Sequence, residues 1–381
     1  MRKKPTSTPT APGSSVPSHP PRLFACYRQT AERLRCLQEH TPSAHRSYLL
    51  AGADRLEQQD WQLSYNLSRS PGTIAHHLGV WSSNFLHNHG GYGGDFPSCF
   101  KNLHQANQCD LIWSTVDTLG IPLSILKKLN WLRPPLVYTS IGLPERLEKM
   151  PDGKLKRWQR SALNSCQAMI CYGWAEADYL REKLSIPIHF IPYGVDTETW
   201  KPMDHPKTVD VLALGIDTQR DFPQLKTFAI QHPEKSLRII TNEAHRKSLQ
   251  DFPDNVQIDD PIPLADIPLA MASAKVIALP VKENTYSGAT TTLLQAMAMG
   301  LPVVVSNVAA ISGGYEFKQH NSCLPVSPGD AEAFSNALFD LLENPQSQAI
   351  MSQRARAHCE SAFSWDQFVS RIDSVLRTHL T

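Results

Sequence analysis

A polar loop followed by a helix, within residues 286–305, contains the groups in this sequence that are best suited to bind an anion. Gly288, Thr290 and Thr291 lie where the helix is predicted to begin, and an apolar run continues from there to Gly300. Free backbone N–H groups and the helix dipole attract phosphate at such a start. An ordinary loop–helix–strand unit that binds nothing has the same pattern, so both interpretations stay open.

A second loop can supply a cation to the same anion. Residues 215–223 follow a predicted strand, and Gly215 at their start permits a close approach of the backbone. Arg220 carries a forked set of donors that can hold a diphosphate. The alternative is a solvated arginine paired with Asp217 or Asp221.

Two further loops follow predicted strands. Glu316 closes a loop with a glycine pair and can accept hydrogen bonds from a sugar or a ribose, or it is simply a surface residue of a turn. Ser140, Gly142 and Glu145 can meet an acceptor molecule, although turn chemistry also explains these three residues. A glycine-rich loop at residues 87–95 has several histidines nearby. Their spacing fits no standard metal motif, so no metal site is expected.

The composition of the 381 residues excludes several classes of protein. The formal net charge is +1, which gives no indication of a nucleic-acid partner. Eight cysteines are scattered without a CxxC pair, which favours reduced thiols and a cytoplasmic location. No apolar run is long enough to span a membrane. Residues 1–21 are rich in Pro, Ser and Thr and are predicted to form a disordered tail, with a transit peptide as the alternative.

One basic amphipathic stretch can contact an anionic membrane surface, at the inner face of a membrane in this interpretation. A solvated helix face is the alternative. Its cationic residues are Lys154, Lys156, Arg157 and Arg160.

Short apolar runs alternate with helical stretches, a rhythm typical of βαβ units and parallel sheets. The predicted strands of the first half are residues 23–27, 47–51, 61–67, 110–115, 135–139, 168–172 and 189–192. Those of the second half are residues 209–214, 236–241, 256–258, 276–279, 301–305 and 323–326. The sequence therefore predicts an α/β protein with two Rossmann-like domains whose parallel sheets face an interdomain cleft. Loops that follow strands should line that cleft.

Several segments together resemble the family 4 (group 1) glycosyltransferases, which have the GT-B fold. Residues 293–304, Leu-Leu-Gln-Ala-Met-Ala-Met-Gly-Leu-Pro-Val-Val, are similar to the family's Leu-Leu-Glu-Ala-Met-Ala-x-Gly-x-Pro-Val-Val. Residues 191–196, 313–316, 326–330 and 363–366 resemble its Ile-Pro-Asn-Gly-Val-Asp, Gly-Gly-x-x-Glu, Val-x-Pro-Gly-Asp and Phe-Ser-Trp segments. The resemblance covers residues 22–380 and is strongest in the second half.

The resemblance implies a domain arrangement. An N-terminal acceptor-side domain occupies residues 22–202, and a C-terminal domain that binds the nucleotide sugar occupies residues 203–362. The last helix, residues 363–381, is expected to cross back to the N-terminal domain.

The sequence also departs from the family pattern. The family has two glutamates eight positions apart, and Ser287 and Gln295 stand there instead, with residues 288–290 replacing a Gly-Phe-Gly. Of the family's two basic residues for the diphosphate, one corresponds to Ile216 and is lost. The other corresponds approximately to Arg220 and is kept. An amide at position 295 can still bond ribose hydroxyls.

The resemblance implies a hexosyltransferase that moves a sugar from a nucleotide-diphosphate sugar to a glycan or lipid acceptor, with retention and without a metal or cofactor. The candidate catalytic residues are Arg220, Ser287 and Glu283. The candidate donor-binding residues are Gly215, Arg220, Gly288, Ala289, Thr290, Thr291, Gln295 and Glu316. One alternative is an inactive module that binds a nucleotide sugar or glycan, and another is an epimerase or hydrolase on the same fold.

Overall fold

The computed structural model of the chain describes residues 19–38, 43–67, 74–285 and 288–380. It contains two six-stranded sheets in which all paired strands are parallel, which confirms the predicted fold class. The first sheet comprises β1 (Arg22–Cys26), β2 (Gln62–Tyr65), β3 (Leu111–Ser114), β4 (Leu136–Ser140), β5 (Ala168–Cys171) and β6 (Ile188–Phe190). The second comprises β7 (Val209–Leu214), β8 (Leu237–Ile240), β9 (Val256–Asp259), β10 (Ala274–Leu279), β11 (Val303–Ser306) and β12 (Leu324–Val326).

Helices connect most of the strands. In the first half they are α1 (Ala31–Gln38), α2 (Ser43–Leu49), α3 (Ala53–Leu56), α4 (Ile74–Asn88), α5 (Phe96–Ala106), α6 (Asp117–Lys128), α7 (Leu143–Lys149), α8 (Lys154–Leu163) and α9 (Trp174–Lys183). In the second half they are α10 (Leu225–Gln231), α11 (Glu243–Arg246), α12 (Ile267–Ala272), α13 (Thr290–Ala298), α14 (Ala309–Ser312), α15 (Phe317–His320), α16 (Ala331–Leu342), α17 (Pro345–Ala362) and α18 (Trp365–Thr378).

The order of the strands creates one point in each sheet where neighbouring connections run in opposite directions. The first sheet has the order β2-β1-β3-β4-β5-β6, so its point lies between β1 and β3. The second has the order β12-β11-β10-β7-β8-β9, so its point lies between β7 and β10. In open α/β sheets, ligands bind beyond the carboxyl ends of the strands at such points.

Apolar strands buried between helical layers form the cores. The strands β3, β4, β5 and β11 are buried along their whole length, as expected for parallel strands covered on both faces. In the second half, α13 contributes Leu293, Leu294 and Met297 to a core that also contains Val303 and Val305 of β11. This packing holds the start of α13 against the carboxyl edge of the sheet.

The last helix and a connecting segment join the two halves. Val195 donates its N–H to the Phe363 carbonyl at 2.8 Å, and Trp365 donates back to the Val195 carbonyl at 3.0 Å. Gly194 permits the close approach of α18 to this segment, because a Cβ atom at position 194 would lie 2.5 Å from Cβ of Phe368. From that point α18 packs Phe368 and Ile372 into the core beside the first sheet.

One predicted strand is wrong. Residues 47–51 belong to the end of α2 and a turn, and the first sheet has six strands among the described residues rather than the seven predicted. A short apolar run does not distinguish a strand from a buried helical turn. Here Ser47 and Leu50, three positions apart, are both buried, and Leu50 N–H donates to the Arg46 carbonyl as in a helix.

Most of the predicted disordered tail, residues 1–18, lies outside the described residues. Among the residues that the structure describes, no helix combines the length and the apolar character that crossing a bilayer requires.

Candidate active site

A cavity of about 380 Å³, here called the second-sheet cavity, opens at the carboxyl edge of the second sheet between the ends of β7 and β8 and the start of α13. It adjoins the β7–β10 point where the connections diverge. The cavity is lined by Tyr48, Leu214, Gly215, Ile216, Asp217, Arg220, Ile240, Pro261, Ile262, Leu264, Ile267, Gly288, Thr291, Thr292 and Gln295. Five of the predicted donor-binding residues are therefore brought together in one cavity: Gly215, Arg220, Gly288, Thr291 and Gln295.

Arg220 is the principal cation of this cavity. Its side chain is only 2% exposed, and Nε donates to Asp217 Oδ2 at 2.7 Å while Nη2 donates to Thr292 Oγ1 at 3.0 Å. Its third nitrogen, Nη1, is buried and has no hydrogen-bond partner among the residues that the structure describes. A buried N–H group without a partner is costly, so the guanidinium retains a donor that an anionic ligand in the cavity can satisfy.

The loop around Arg220 is held by its glycine and by the strand beside it. Gly215 has a φ of +150°, and a Cβ atom there would lie 2.3 Å from Nε of Arg220. Only glycine therefore lets the guanidinium lie across the backbone at this position. Asp221 N–H donates to the Pro280 carbonyl and Lys282 N–H to the Gln219 carbonyl, which fixes the loop after β7 to the segment after β10.

The start of α13 forms the opposite wall of the second-sheet cavity. Thr291, Thr292 and Gln295 lie on one face of the helix, because positions three and four apart are neighbours on a helix. Leu293 N–H donates to the Ala289 carbonyl, so the N–H groups that precede it belong to the open end of the helix. Gln295 is 5% exposed and offers both an amide donor and a carbonyl acceptor to the cavity.

Three other predicted donor-binding residues do not line the cavity. Ala289 and Thr290 are buried at the helix start, and Oγ1 of Thr290 has no hydrogen-bond partner in residues 19–38, 43–67, 74–285 and 288–380. Glu316 is exposed and lies within 3.7 Å of His320 Nε2. The neighbouring Tyr315 joins the two halves instead, since its hydroxyl donates to the Tyr172 carbonyl at 2.8 Å and accepts from Tyr193 N–H.

The predicted catalytic carboxylate does not lie in the cavity wall. Glu283 is exposed and is not among the described residues that line the cavity. Ser287 lies outside the described residues. Asp217 is the single carboxylate among the described lining residues, and its Oδ2 is occupied by Arg220.

The sequence did not identify Tyr48, which lines the second-sheet cavity although it belongs to α2 of the first half. The cavity is thus shared between the two halves. A helical prediction for residues 47–51 would have indicated that Tyr48 can face a cavity, because it places Tyr48 on a different face from the buried Ser47 and Leu50.

A second polar cavity, of about 490 Å³, lies at the corresponding point of the first sheet and is here called the first-sheet cavity. It lies beyond the carboxyl ends of β1 and β3. Its lining is almost entirely polar or glycine: Arg28, Gln29, Ser83, Asn84, His87, Tyr92, Gly93, Gly94, Asp95 and Thr118. The predicted acceptor-side residues Ser140, Gly142 and Glu145 are not among the described residues that line it.

Ser140 and Gly142 instead satisfy a buried carboxylate. Oε1 of Glu176 accepts from the Ser140 hydroxyl at 2.6 Å and from the N–H groups of Gly142 and Leu143 at 2.8 and 3.2 Å. Burial, and then the negative charge of Asp117, raise the pKa of Glu176 to about 7. The contacts of Ser140 and Gly142 therefore stabilise a buried carboxylate of α9.

Asp117 is the second buried carboxylate of this region. Burial raises its pKa, although Tyr138 Oη donates to it at 2.5 Å and Arg146 Nε donates at 2.9 Å. Arg146 also lies over the ring of Tyr92, with Cζ 4.9 Å from the ring centroid. Tyr92 lines the first-sheet cavity, so this ion pair between the buried Asp117 and the half-buried Arg146 supports one of its walls.

Each half of the chain matches a known protein family. A family described as "Glycosyltransferase Family 4" matches residues 18–199, and one described as "Glycosyl transferases group 1" matches residues 218–344. The first match contains all six strands of the first sheet, and the second contains β8 to β12 of the second sheet.

Two curated relatives are mannosyltransferases. One, from Corynebacterium glutamicum, is a "GDP-mannose-dependent monoacylated alpha-(1-6)-phosphatidylinositol monomannoside mannosyltransferase", 27% identical over 155 residues, which cover 38% of this chain and 40% of the relative. The other, an "MMP alpha-(1->4)-mannosyltransferase" from Mycolicibacterium hassiacum, is 24% identical over 202 residues, which cover 49% of this chain and 47% of the relative. The matches thus span less than half the length of either relative.

Solved structures share the fold over nearly the whole chain. Sucrose-phosphate synthase from Thermosynechococcus elongatus superposes with a TM-score of 0.70 at 15% identity, covering 94% of this chain and 98% of that one. HepE of Anabaena in complex with UDP-glucose superposes with a TM-score of 0.65 at 17% identity, covering 94% and 99%. The two family matches lie on the two facing α/β halves of this GT-B architecture, and we conclude that the chain belongs to the family 4 (group 1) glycosyltransferases.

Proposed function

We propose that the protein transfers a hexose from a nucleotide-diphosphate sugar to an acceptor, and that the second-sheet cavity binds the donor. The observation that carries this proposal is the buried Arg220 guanidinium, which lies beside a helix start and whose Nη1 has no partner within the described part of the chain. A diphosphate would supply that partner and would also face the positive end of the α13 dipole.

The same groups suit the chemistry of transfer. The bond between the anomeric carbon and the diphosphate oxygen breaks, and the leaving diphosphate keeps the electron pair. Arg220 and the N–H groups at the start of α13 stabilise the resulting negative charge. The acceptor oxygen bonds to the same face of the sugar, and its proton passes to the departing diphosphate oxygen. This retaining course needs no carboxylate in the cavity wall.

Gln295 is proposed to hold the ribose of the donor. It lies on the cavity side of α13, one turn from Thr291 and Thr292, so a nucleotide whose diphosphate meets Arg220 can extend its ribose towards the amide. The relatives suggest which donors to test, since one is GDP-mannose-dependent by name and HepE was solved with UDP-glucose.

The first-sheet cavity is the proposed acceptor site, and a glycan or a lipid headgroup is the proposed acceptor. Arg28, Asn84 and Asp95 provide a cation, an amide and a carboxylate in one wall, a set that suits several hydroxyl or phosphate groups. In the GT-B arrangement this cavity and the donor cavity lie on facing halves.

A second candidate function is binding of a nucleotide sugar without transfer. The specific observation in its favour is that Asp217, the single carboxylate among the described lining residues of the donor cavity, is already bound to Arg220. If transfer requires a free carboxylate beside the sugar, the cavity holds the donor and leaves it intact.

One pair of measurements tests both candidates. Thermal-shift titration with GDP-mannose, UDP-glucose and the free nucleoside diphosphates should show stabilisation by at least one sugar nucleotide. Multiple-turnover incubation of that donor with glycan and lipid acceptors should then release more nucleoside diphosphate than there is protein. Stabilisation without turnover would favour the binding module, and the absence of any stabilisation would contradict both candidates.

A further inference from the structure

An apolar groove of about 440 Å³ lies on the outer side of the first half, formed by α4, α5, α6 and α8. It contains almost no polar surface and is separate from both polar cavities. Its lining includes six large apolar side chains: Leu78, Trp81, Phe85, Phe100, Trp131 and Trp158. No residue proposed to bind the donor or the acceptor lines this groove.

The rim of the groove exposes large apolar side chains to solvent. Trp81 is 63% exposed, Trp131 is 48% exposed and Phe85 is 46% exposed. Trp81 and Phe85 stack with their ring centroids 5.5 Å apart, and Ile74 at the first turn of α4 is 89% exposed. A contiguous apolar patch of this kind on a protein surface marks a contact with a partner or a membrane.

The four helices that form the groove carry more cationic than acidic residues, and the exposed Asp152 just before α8 pairs with Lys156 at 2.9 Å. The Lys and Arg residues of the four helices are Lys101, Lys127, Lys128, Lys154, Lys156, Arg157 and Arg160. The one acidic residue on these helices is Asp117, which is fully buried. Lys154, Arg157 and Arg160 are exposed, and they belong to the same helix as Leu155 and Trp158 of the groove.

Helix α4 connects the groove to the proposed acceptor site. Leu78, Trp81 and Phe85 lie on its groove side, whereas Asn84 and His87 line the first-sheet cavity. A surface that covers the groove would therefore lie beside the mouth of the polar cavity.

We propose that this face docks on the surface of an anionic lipid bilayer. Aromatic side chains with a polar group, such as Trp81 and Trp131, favour the interface between headgroups and acyl chains. Exposed cations beside them favour anionic lipid, because each Lys or Arg near the surface is attracted to the negatively charged headgroups. The combination of exposed tryptophans, a dry groove and a basic flank without an exposed acid on these helices fits that partner better than a neutral protein surface.

The proposal is independent of sugar transfer, because docking requires neither donor nor acceptor. If the protein transfers sugar to a lipid, docking would also bring the headgroup to the first-sheet cavity. That consequence, unlike the docking itself, rests on the proposed function.

Vesicle sedimentation of the full chain tests the docking. Vesicles of phosphatidylglycerol and phosphatidylcholine should bind the protein at least tenfold more strongly than vesicles of phosphatidylcholine alone. The double variant Trp81→Ala/Phe85→Ala and the triple variant Lys154→Glu/Arg157→Glu/Arg160→Glu should each lose at least fivefold of the bound fraction.

Matched controls lie on the second half. Ile230→Ala removes an apolar residue that is 59% exposed, and Lys247→Glu/Lys318→Glu/Arg354→Glu reverses three exposed charges there. Both controls should bind vesicles as the unaltered protein does. All variants should keep the same melting temperature and the same thermal shift with donor.

Three results would overturn the proposal. The first is an unaltered protein that ignores anionic vesicles, and the second is groove variants that bind them undiminished. The third is a dimer in solution that the Trp81→Ala/Phe85→Ala variant dissociates, which would assign the face to a second copy of the chain. If the unaltered protein binds anionic vesicles but turns over no donor, only the proposed function is contradicted.

Discussion

Nη2 of Arg220 donates to Oγ1 of Thr292 at 3.0 Å and links two segments that are 72 residues apart in the sequence. This bond connects the loop after β7 to the first turn of α13. It holds the guanidinium at the helix start, where cation and dipole can act together on an anion. The electrostatics of the second-sheet cavity therefore come from two elements joined by one hydrogen bond.

Removal of the cation should abolish most donor use. Arg220→Ala should lower kcat/KM for the donor by about 10²–10³-fold, because a preorganised charge on the leaving group is lost. The check is steady-state release of nucleoside diphosphate. Lys275→Ala, which removes a cation paired with Asp210 at the other end of the same sheet, should leave the rate unchanged. Equal rates for Arg220→Ala and the unaltered protein would contradict the phosphate assignment.

The hydroxyl of Thr292 should matter through Arg220. Thr292→Val keeps the shape but leaves Nη2 without its acceptor, so donor affinity should fall by roughly tenfold, about 1.4 kcal/mol. Thr290→Val is the matched control, because the buried Thr290 hydroxyl has no partner among the described residues, and it should keep both affinity and stability. Isothermal titration with the donor measures the affinity of each variant. An equal loss of affinity in the two variants would show that the helix start acts as a whole.

Gly215 should tolerate no side chain. Gly215→Ala places a methyl group 2.3 Å from Arg220 Nε, so Arg220 must move, with a cost of about 1–3 kcal/mol in unfolding free energy and a loss of donor binding. Gly329→Ala is the control, since Gly329 also has a positive φ, +76°, but nothing lies within 4 Å of the added atom. Urea unfolding should show a smaller cost there, and donor titration should show none. Unchanged donor binding in Gly215→Ala would contradict the close approach.

The buried Glu176 should make stability depend on pH. Its folded pKa is about 7, above the ordinary value of 4.5, so the native carboxyl keeps its proton over a range where the unfolded one has lost it. The associated stability is fully present below about pH 4.5 and is lost as the pH rises through about 7.

The variant Glu176→Gln carries no such charge, so relative to the unaltered protein it should gain about 1–3 kcal/mol of unfolding free energy between pH 5 and pH 8. Urea unfolding at both pH values measures this difference. Glu182→Gln, an exposed change on the same helix α9, should shift nothing. Parallel pH dependence of Glu176→Gln and the unaltered protein would show that Glu176 ionises normally.

Much of the fold followed from local pattern. Twelve of the thirteen predicted strands exist in the structure, because alternating apolar runs and polar loops are encoded by neighbours in the chain. The polar loop that precedes α13 and the loop from Gly215 to Arg220 were likewise recognisable from residue type. The exception, residues 47–51, is a helical turn whose short apolar run fits either structure.

The contents of the site depended on distant residues. Tyr48 lines the second-sheet cavity from the other half, Glu316 is exposed beside a turn that joins the halves, and the Ser140 hydroxyl donates to Glu176. By itself, the sequence determined which loops follow strands and which of them carry a cation or a helix start. Tertiary structure alone decided which of those loops share a cavity, because hydrogen bonds and packing across tens of residues leave no periodic signal in the chain.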